Sequence, residues 1–102
     1  MTTGPDDIAA LMATNLSRLR TRFGVSGMAL FGSCARGEAT PTSDADVLVT
    51  FQSGARVTLL TLAALKRDLE KLLGRSVDLV EDHPRLPESL RREIEKDLRR
   101  VA

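Results

Sequence analysis

Gly32 and Ser33 are followed, after ten intervening residues, by Asp44, Ala45 and Asp46. Two carboxylates at i and i+2 on a strand point to the same side, so Asp44 and Asp46 could share one ligand. Hard Mg2+ prefers oxygen donors and is commonly held by one or two carboxylates together with substrate phosphates. A Gly-Ser turn just upstream supplies what a phosphate needs. Gly32 lets the backbone approach closely, and Ser33 opens a helical turn whose free N–H groups favour anions. These residue types at this spacing describe a site for a metal-bound nucleoside triphosphate. With each type near roughly 5–7% of sequence, the four positions coincide by chance at about 10⁻⁵ per start. That is suggestive alone, and a third acid strengthens it.

The third acid is Asp78, inside the apolar run Val77-Asp78-Leu79-Val80, where an unpaired carboxylate would be costly. Two metal ions can clamp the attacking and leaving oxygens of an in-line displacement at phosphorus. Asp44 and Asp46 would then bridge the metals. Asp78 would complete the set and accept the proton of the attacking hydroxyl. Arg36, one turn past Ser33, could reach the triphosphate as a charged fork. Each residue also has a plain structural reading. Gly-Ser could be a simple turn, Asp44 a loop cap, Asp46 and Asp78 partners of nearby arginines, and Arg36 an ion-pair partner of Glu38 or Asp44. Those readings need three unrelated explanations for three carboxylates; the metal–nucleotide reading needs one.

The elements that must position these residues follow from the apolar spacing. Pro5, with Asp6 and Asp7 behind it, opens a helix whose stripe runs Ile8, Leu11, Met12, Leu16, Leu19 and Phe23 and stops at Gly24. Met28 to Phe31 reads as a buried strand, Ser33 to Gly37 as a short helical turn, and Glu38 to Ser43 as a polar loop containing Pro41. Asp46 to Phe51 is predicted as a strand covered on both faces. Leu59, Leu62, Leu65, Leu69 and Leu72 mark a second helix ended by Gly74. Val77 to Val80 is a third strand, and Glu88 to Arg100 a charged closing helix with Leu90, Ile94 and Leu98 inward. This order predicts an α/β (α+β) fold, a small mixed β-sheet with helices packed on it. Only about a dozen residues join the first two strands, so they could be antiparallel neighbours.

At 102 residues the chain is read as one domain, residues 1–102. The net charge of +1 gives no strong nucleic-acid or membrane signal, and three phenylalanines with no Trp or Tyr are too few for a base-stacking platform. Cys34 is the only cysteine, so no intrachain disulfide forms and a reducing compartment is natural. With no signal-peptide layout and no membrane-length apolar run, the expected location is cytoplasmic. A nucleophilic Cys34 would need an activating base, and the one histidine, His83, lies far along the chain beside Pro84, as a loop residue. The run Arg91, Arg92, Arg99 and Arg100 could contribute to a partner surface, but a charge run is more often a solvated helix face.

The stretches Leu30-Phe31-Gly32-Ser33-Cys34-Ala35-Arg36-Gly37 and Ser43-Asp44-Ala45-Asp46-Val47-Leu48-Val49 resemble the polymerase-β-like nucleotidyltransferase superfamily. More narrowly they are similar to its minimal nucleotidyltransferases (MNT), the antitoxin partners of HEPN-domain toxins. Leu73 to Val80 and the segment from Leu90 to Val101 extend the likeness over nearly the whole chain. The resemblance implies a polymerase-β-like core and transfer of AMP from ATP, with Mg2+ and two ions in the site, to a tyrosine hydroxyl of a HEPN-type toxin encoded nearby. The system would be of the type VII-like toxin–antitoxin kind, and the protein a hetero-oligomer with its partner. It further implies Asp44, Asp46 and Asp78 as catalytic and metal ligands, and Gly32, Ser33, Arg36 and Ser43 as nucleotide-binding residues. Ala45 replaces a larger aliphatic residue common between the two aspartates, and its side chain should face away from the metals.

Two other readings compete with this one. The same chemistry could act on a small molecule such as an aminoglycoside, although a triphosphate site and its sheet leave few residues for a second pocket. A non-catalytic antitoxin could neutralise its partner by binding alone. The full set of carboxylates and the Gly-Ser pair disfavour a decayed site.

Overall fold

The sheet is built in the order β3-β2-β1-β4. The computed structural model describes residues 4–38, 40 and 42–101, so Pro41 of the polar loop lies outside the described residues. Along the chain the elements are α1 (Pro5–Thr14), α2 (Leu16–Phe23), β1 (Val25–Phe31), α3 (Gly32–Arg36), β2 (Ala45–Phe51), α4 (Leu59–Leu73), β3 (Val77–Glu81), α5 (Glu88–Lys96) and β4 (Arg99–Arg100). The sheet is mixed, as the sequence predicted. β1 and β2 are antiparallel, β2 and β3 parallel, and β4 runs antiparallel to β1.

Strand alternation sorts the core into two layers. Met28, Leu30, Ala45, Val47, Val49 and Val77 face one side, buried with Ile8 and Met12 of α1, Leu19 of α2, and Leu65 and Leu69 of α4. Ala29 and Leu48 face the other side and meet Ile94 of α5, with Phe31, Val80, Leu86 and Leu98 packed around them. α1, α2 and α4, with Cys34 of the short α3, cover the first face, and α5 covers part of the second. The second face is therefore left open at one end.

Two expectations change. The predicted first helix is two helices: the Asn15 side chain donates to the Leu11 carbonyl at 2.9 Å, and its own N–H bonds to Met12 three residues back. An asparagine amide that captures the backbone in this way ends a helix. The closing helix stops at Lys96 rather than reaching Arg100, because Arg99 and Arg100 pair with Leu30 and Ala29, and Val101 N–H donates to the Met28 carbonyl at 2.9 Å. The free edge of β1 claims that backbone, as an unpaired strand edge does. Leu90, predicted inward, is 40% exposed, whereas Ile94 is buried.

Candidate active site

β1 runs towards one end of the sheet, and β2, its antiparallel neighbour, starts there. β3, parallel to β2, starts there too. The topology alone thus brings the residues after Phe31, the residues at the start of β2 and the residues at the start of β3 to one edge. Register makes it exact to the residue: Phe31 opposes Asp46, and Asp46 opposes Asp78.

Ala45 is fully buried in the helix-covered layer. Asp46 therefore points to the other face, and Asp44, one residue ahead of the strand, lies near enough for its charge to act on the Asp46 carboxyl. Asp46 lies against the backbone of Gly32. That glycine has φ +69°, and a Cβ built on it would sit 2.1 Å from Asp46 Oδ2. Only a residue without a side chain leaves room for the carboxylate while adopting this left-handed conformation. Gly32 begins α3, so Asp46 is held where the chain turns from strand to helix.

Burial first, and then the negative charges of Asp78 and Asp44, push the Asp46 carboxyl above its ordinary value, with Arg36 acting in the opposite direction. Asp44 and Asp78 are exposed. For Asp78 this corrects the sequence argument: β3 is an edge strand, so its carboxylate is not the buried, costly group that the apolar run suggested. Asp46 is the desolvated one.

No described cation lies within ion-pairing distance of these three carboxylates. This contrasts with the acids around them. Asp68 takes Arg18 and Arg22, Asp82 takes Arg91, Asp97 and Glu38 share Arg36, and Asp6 takes Arg99. The arginine-partner alternative for Asp46 and Asp78 is thereby excluded within the described residues. Among those residues, no three His, Cys, Asp or Glu side chains enclose a metal position by themselves. An open, all-carboxylate donor set beside a bare glycine suits a hard cation that draws its remaining ligands from phosphate and water.

The other predicted residues divide. Ser33 is half-buried at the start of α3, and its carbonyl accepts from Glu38 N–H at 3.0 Å. The Ser43 hydroxyl is turned into its own loop, accepting from Thr40 N–H at 2.9 Å. Arg36 donates to Glu38 at 2.5 Å and to Asp97 at 2.9 Å, so it rests on two carboxylates beside the site rather than in it. Cys34 is buried, and burial pushes its thiol up despite the opposing Arg75. His83 sits in the loop beyond the far end of β3, its Nδ1 accepting from Arg85 N–H at 3.0 Å.

Sequence reasoning missed three supporting residues. Glu70 Oε2 accepts the Val77 N–H at 3.0 Å and fixes the start of β3. Asp97 restrains Arg36. Arg75 bonds to the loop that carries Ser43. Asp97 and Arg75 reach partners distant in sequence, Glu70 bonds across the Gly74 turn, and only the polar pair Arg75-Ser76 between Gly74 and the strand hinted at a role.

A family model described as nucleotidyltransferase domain matches residues 14–101. The chain is 43% identical over 75 residues to protein adenylyltransferase MntA of Thermococcus cleftensis, covering 74% of each. A solved structure assigned as a minimal nucleotidyltransferase shares 38% identity, with a TM-score of 0.71 and coverage of 93% of both chains. Two further structures share the fold. One is a toxin-antitoxin with AMP-PNP, at TM-score 0.70 and 20% identity over 88% of this chain and 72% of that one. The other is the tri-AMPylated Shewanella oneidensis HEPN toxin in complex with MNT antitoxin, at TM-score 0.63 and 18% identity over 92% and 71%.

Proposed function

Because this chain belongs to the nucleotidyltransferase-domain family, in its minimal branch, we propose that it transfers AMP from ATP to a tyrosine hydroxyl of a HEPN-type toxin and so acts as that toxin's antitoxin. The observation that carries this reading is the seating of Asp46 on the bare backbone of Gly32, beside two further carboxylates that no described cation neutralises. The adenylyltransferase name of the MntA relative and the AMPylated toxin in a structure of the same fold support it.

Asp44 and Asp46, with Asp78 across from Asp46, would hold Mg2+. Bound there, the metal would neutralise the triphosphate and stabilise charge on the attacking and leaving oxygens. The backbone at Gly32 and Ser33 receives phosphate oxygens, which the absent Cβ permits at close range. Arg36 leaves Glu38 and Asp97 to meet the triphosphate. Arg36 and Glu38 are exposed and Asp97 is half-buried, so solvent weakens both pairs and releasing them costs little. The acceptor hydroxyl oxygen bonds to the α-phosphorus, the bond to the pyrophosphate oxygen breaks, and Asp78 takes the hydroxyl proton. The exposure of Asp78 on an edge strand leaves its side of the site open to an acceptor carried by another protein. The cytoplasm supplies both ATP and Mg2+ and is the natural place for this reaction.

Intact-mass spectrometry of the neighbouring gene product, after incubation with this protein, ATP and Mg2+, tests the proposal. Gains in whole AMP units, absent with Asp46→Asn, are the expected result. Tight complex formation with no gain would replace it with neutralisation by binding, and transfer by Asp46→Asn at the wild-type rate would reject the carboxylate assignment.

A further inference from the structure

Arg75 stands between Gly74, which closes α4, and the start of β3. Its Nη1 donates to the carbonyls of Thr40 and Ser43, each at 3.3 Å, and approaches Cys34 Sγ at 3.6 Å. The Cys34 thiol in turn donates to the Asp44 carbonyl at 3.4 Å. No described carboxylate pairs with Arg75. A half-buried guanidinium thus turns one of its nitrogens, Nη1, to the backbone of one loop and to the helical turn behind it. That loop needs an external hold. The β2 ladder begins at Ala45, whose N–H donates to the Ser76 carbonyl at 2.9 Å, so Ser43 and Asp44 lie outside it.

We propose that Arg75 is a positioning residue for the adenylyl-transfer site, acting through the Ser43–Asp44 backbone and the buried Cys34 to hold the Asp44 carboxylate beside Asp46. This rests on the reading of the site given above. Charge-assisted donation to carbonyls is stronger than neutral hydrogen bonding, which an amide in the same place cannot match. Displacement of a catalytic group by about 1 Å can cost about 100-fold in rate, so a loop anchor matters to chemistry without touching substrate.

The test compares Arg75→Ala and Arg75→Gln with the wild type in three measurements. These are the exchange rate of the Ser43 amide, which bonds to the Thr40 carbonyl, the thermal midpoint, and kcat and KM for ATP in AMP transfer. Loss of the anchor should speed Ser43 exchange by about 10-fold and lower kcat by about 10- to 100-fold, with KM for ATP within about 3-fold. Arg75→Gln, which keeps one donor, should fall between wild type and Arg75→Ala in both exchange and kcat, and it carries the test if the alanine variant does not fold. Unchanged Ser43 exchange overturns the proposal, and so does faster exchange with wild-type kcat. A wild-type protein inactive on its acceptor would instead remove the adenylyl-transfer reading, and Ser43 exchange would still decide whether Arg75 holds the loop.

Discussion

Gly32 is the residue with the least freedom in the site, because two constraints meet on it. A Cβ there enters the space of Asp46 Oδ2, and φ +69° is left-handed. The clash is with the tip of a side chain, so Asp46 can rotate away and the fold can survive. Gly32→Ala should therefore lose about 1 kcal/mol in stability, from backbone strain, but at least about 100-fold in AMP transfer, from the displaced carboxylate. Thermal melting and single-turnover kinetics together check this; an active, destabilised variant would contradict it. Asp46 makes a complementary prediction. Its folded pKa is raised, so the stability it contributes is present below the unfolded value and is lost as pH rises through the folded one. At neutral pH the ionised group opposes folding. Asp46→Asn should melt about 1–3 °C higher than wild type at pH 7, with the difference closing on acidification through the carboxylate range. A lower melting midpoint at pH 7 would refute that electrostatic account. Under the proposed metal ligation, which needs the ionised form, the acid limb of kcat/KM should also fall at a higher pH than an ordinary aspartate gives.

α4 shows what local sequence can determine. Thr58 accepts from Thr61 N–H, and Thr61 returns the bond to Thr58 N–H, so a capping box starts the helix where its leucine spacing begins, and Gly74 at φ +67° ends it. Removing a cap of this kind costs about 1 kcal/mol, which is about 4–8 °C in midpoint for a chain of this size. Thr58→Ala should show that loss while kcat stays at the wild-type level, since α4 begins beyond the end of β2 remote from Asp44. A fall in kcat would mean that the two ends of the sheet are coupled. The same locality explains what was legible beforehand. Gly32, Ser33, Asp44 and Asp46 announce themselves by short spacing, and α3, α4 and β3 by runs within ten residues or so. Asn15 breaking the first helix, Arg99 and Arg100 joining β1, and Arg75 reaching Thr40 all depend on partners or on side-chain captures that no local pattern displays. β1 begins at Val25, three residues ahead of the apolar run Met28–Phe31, because Ser26 and the Gly27 irregularity interrupt the signal without breaking the pairing with β2.

Across the whole molecule, most described acids pair with arginines and lysines, and three of those that do not, Asp44, Asp46 and Asp78, meet at one end of the sheet. No described helix is long and apolar enough to cross a membrane. An arrangement with three neighbouring carboxylates and few protein donors to them should respond to cation and triphosphate jointly. At 100 times its Kd a ligand adds about 2.7 kcal/mol, so saturating MgATP should raise the melting midpoint by about 10 °C or more. ATP with a chelator, or Mg2+ alone, should raise it far less. An equal rise with ATP alone would argue against metal-assisted binding. The parallel placement of β3 also gives the site a history. The hairpin carrying Gly32, Asp44 and Asp46 closes over a short stretch of chain, whereas Asp78 arrives only after α4 has crossed over and β3 has docked. The three-carboxylate set is therefore complete only once β3 has paired with β2. A clipped copy that lacks β3 is thus an unfinished site, short of Asp78 even when its hairpin is intact.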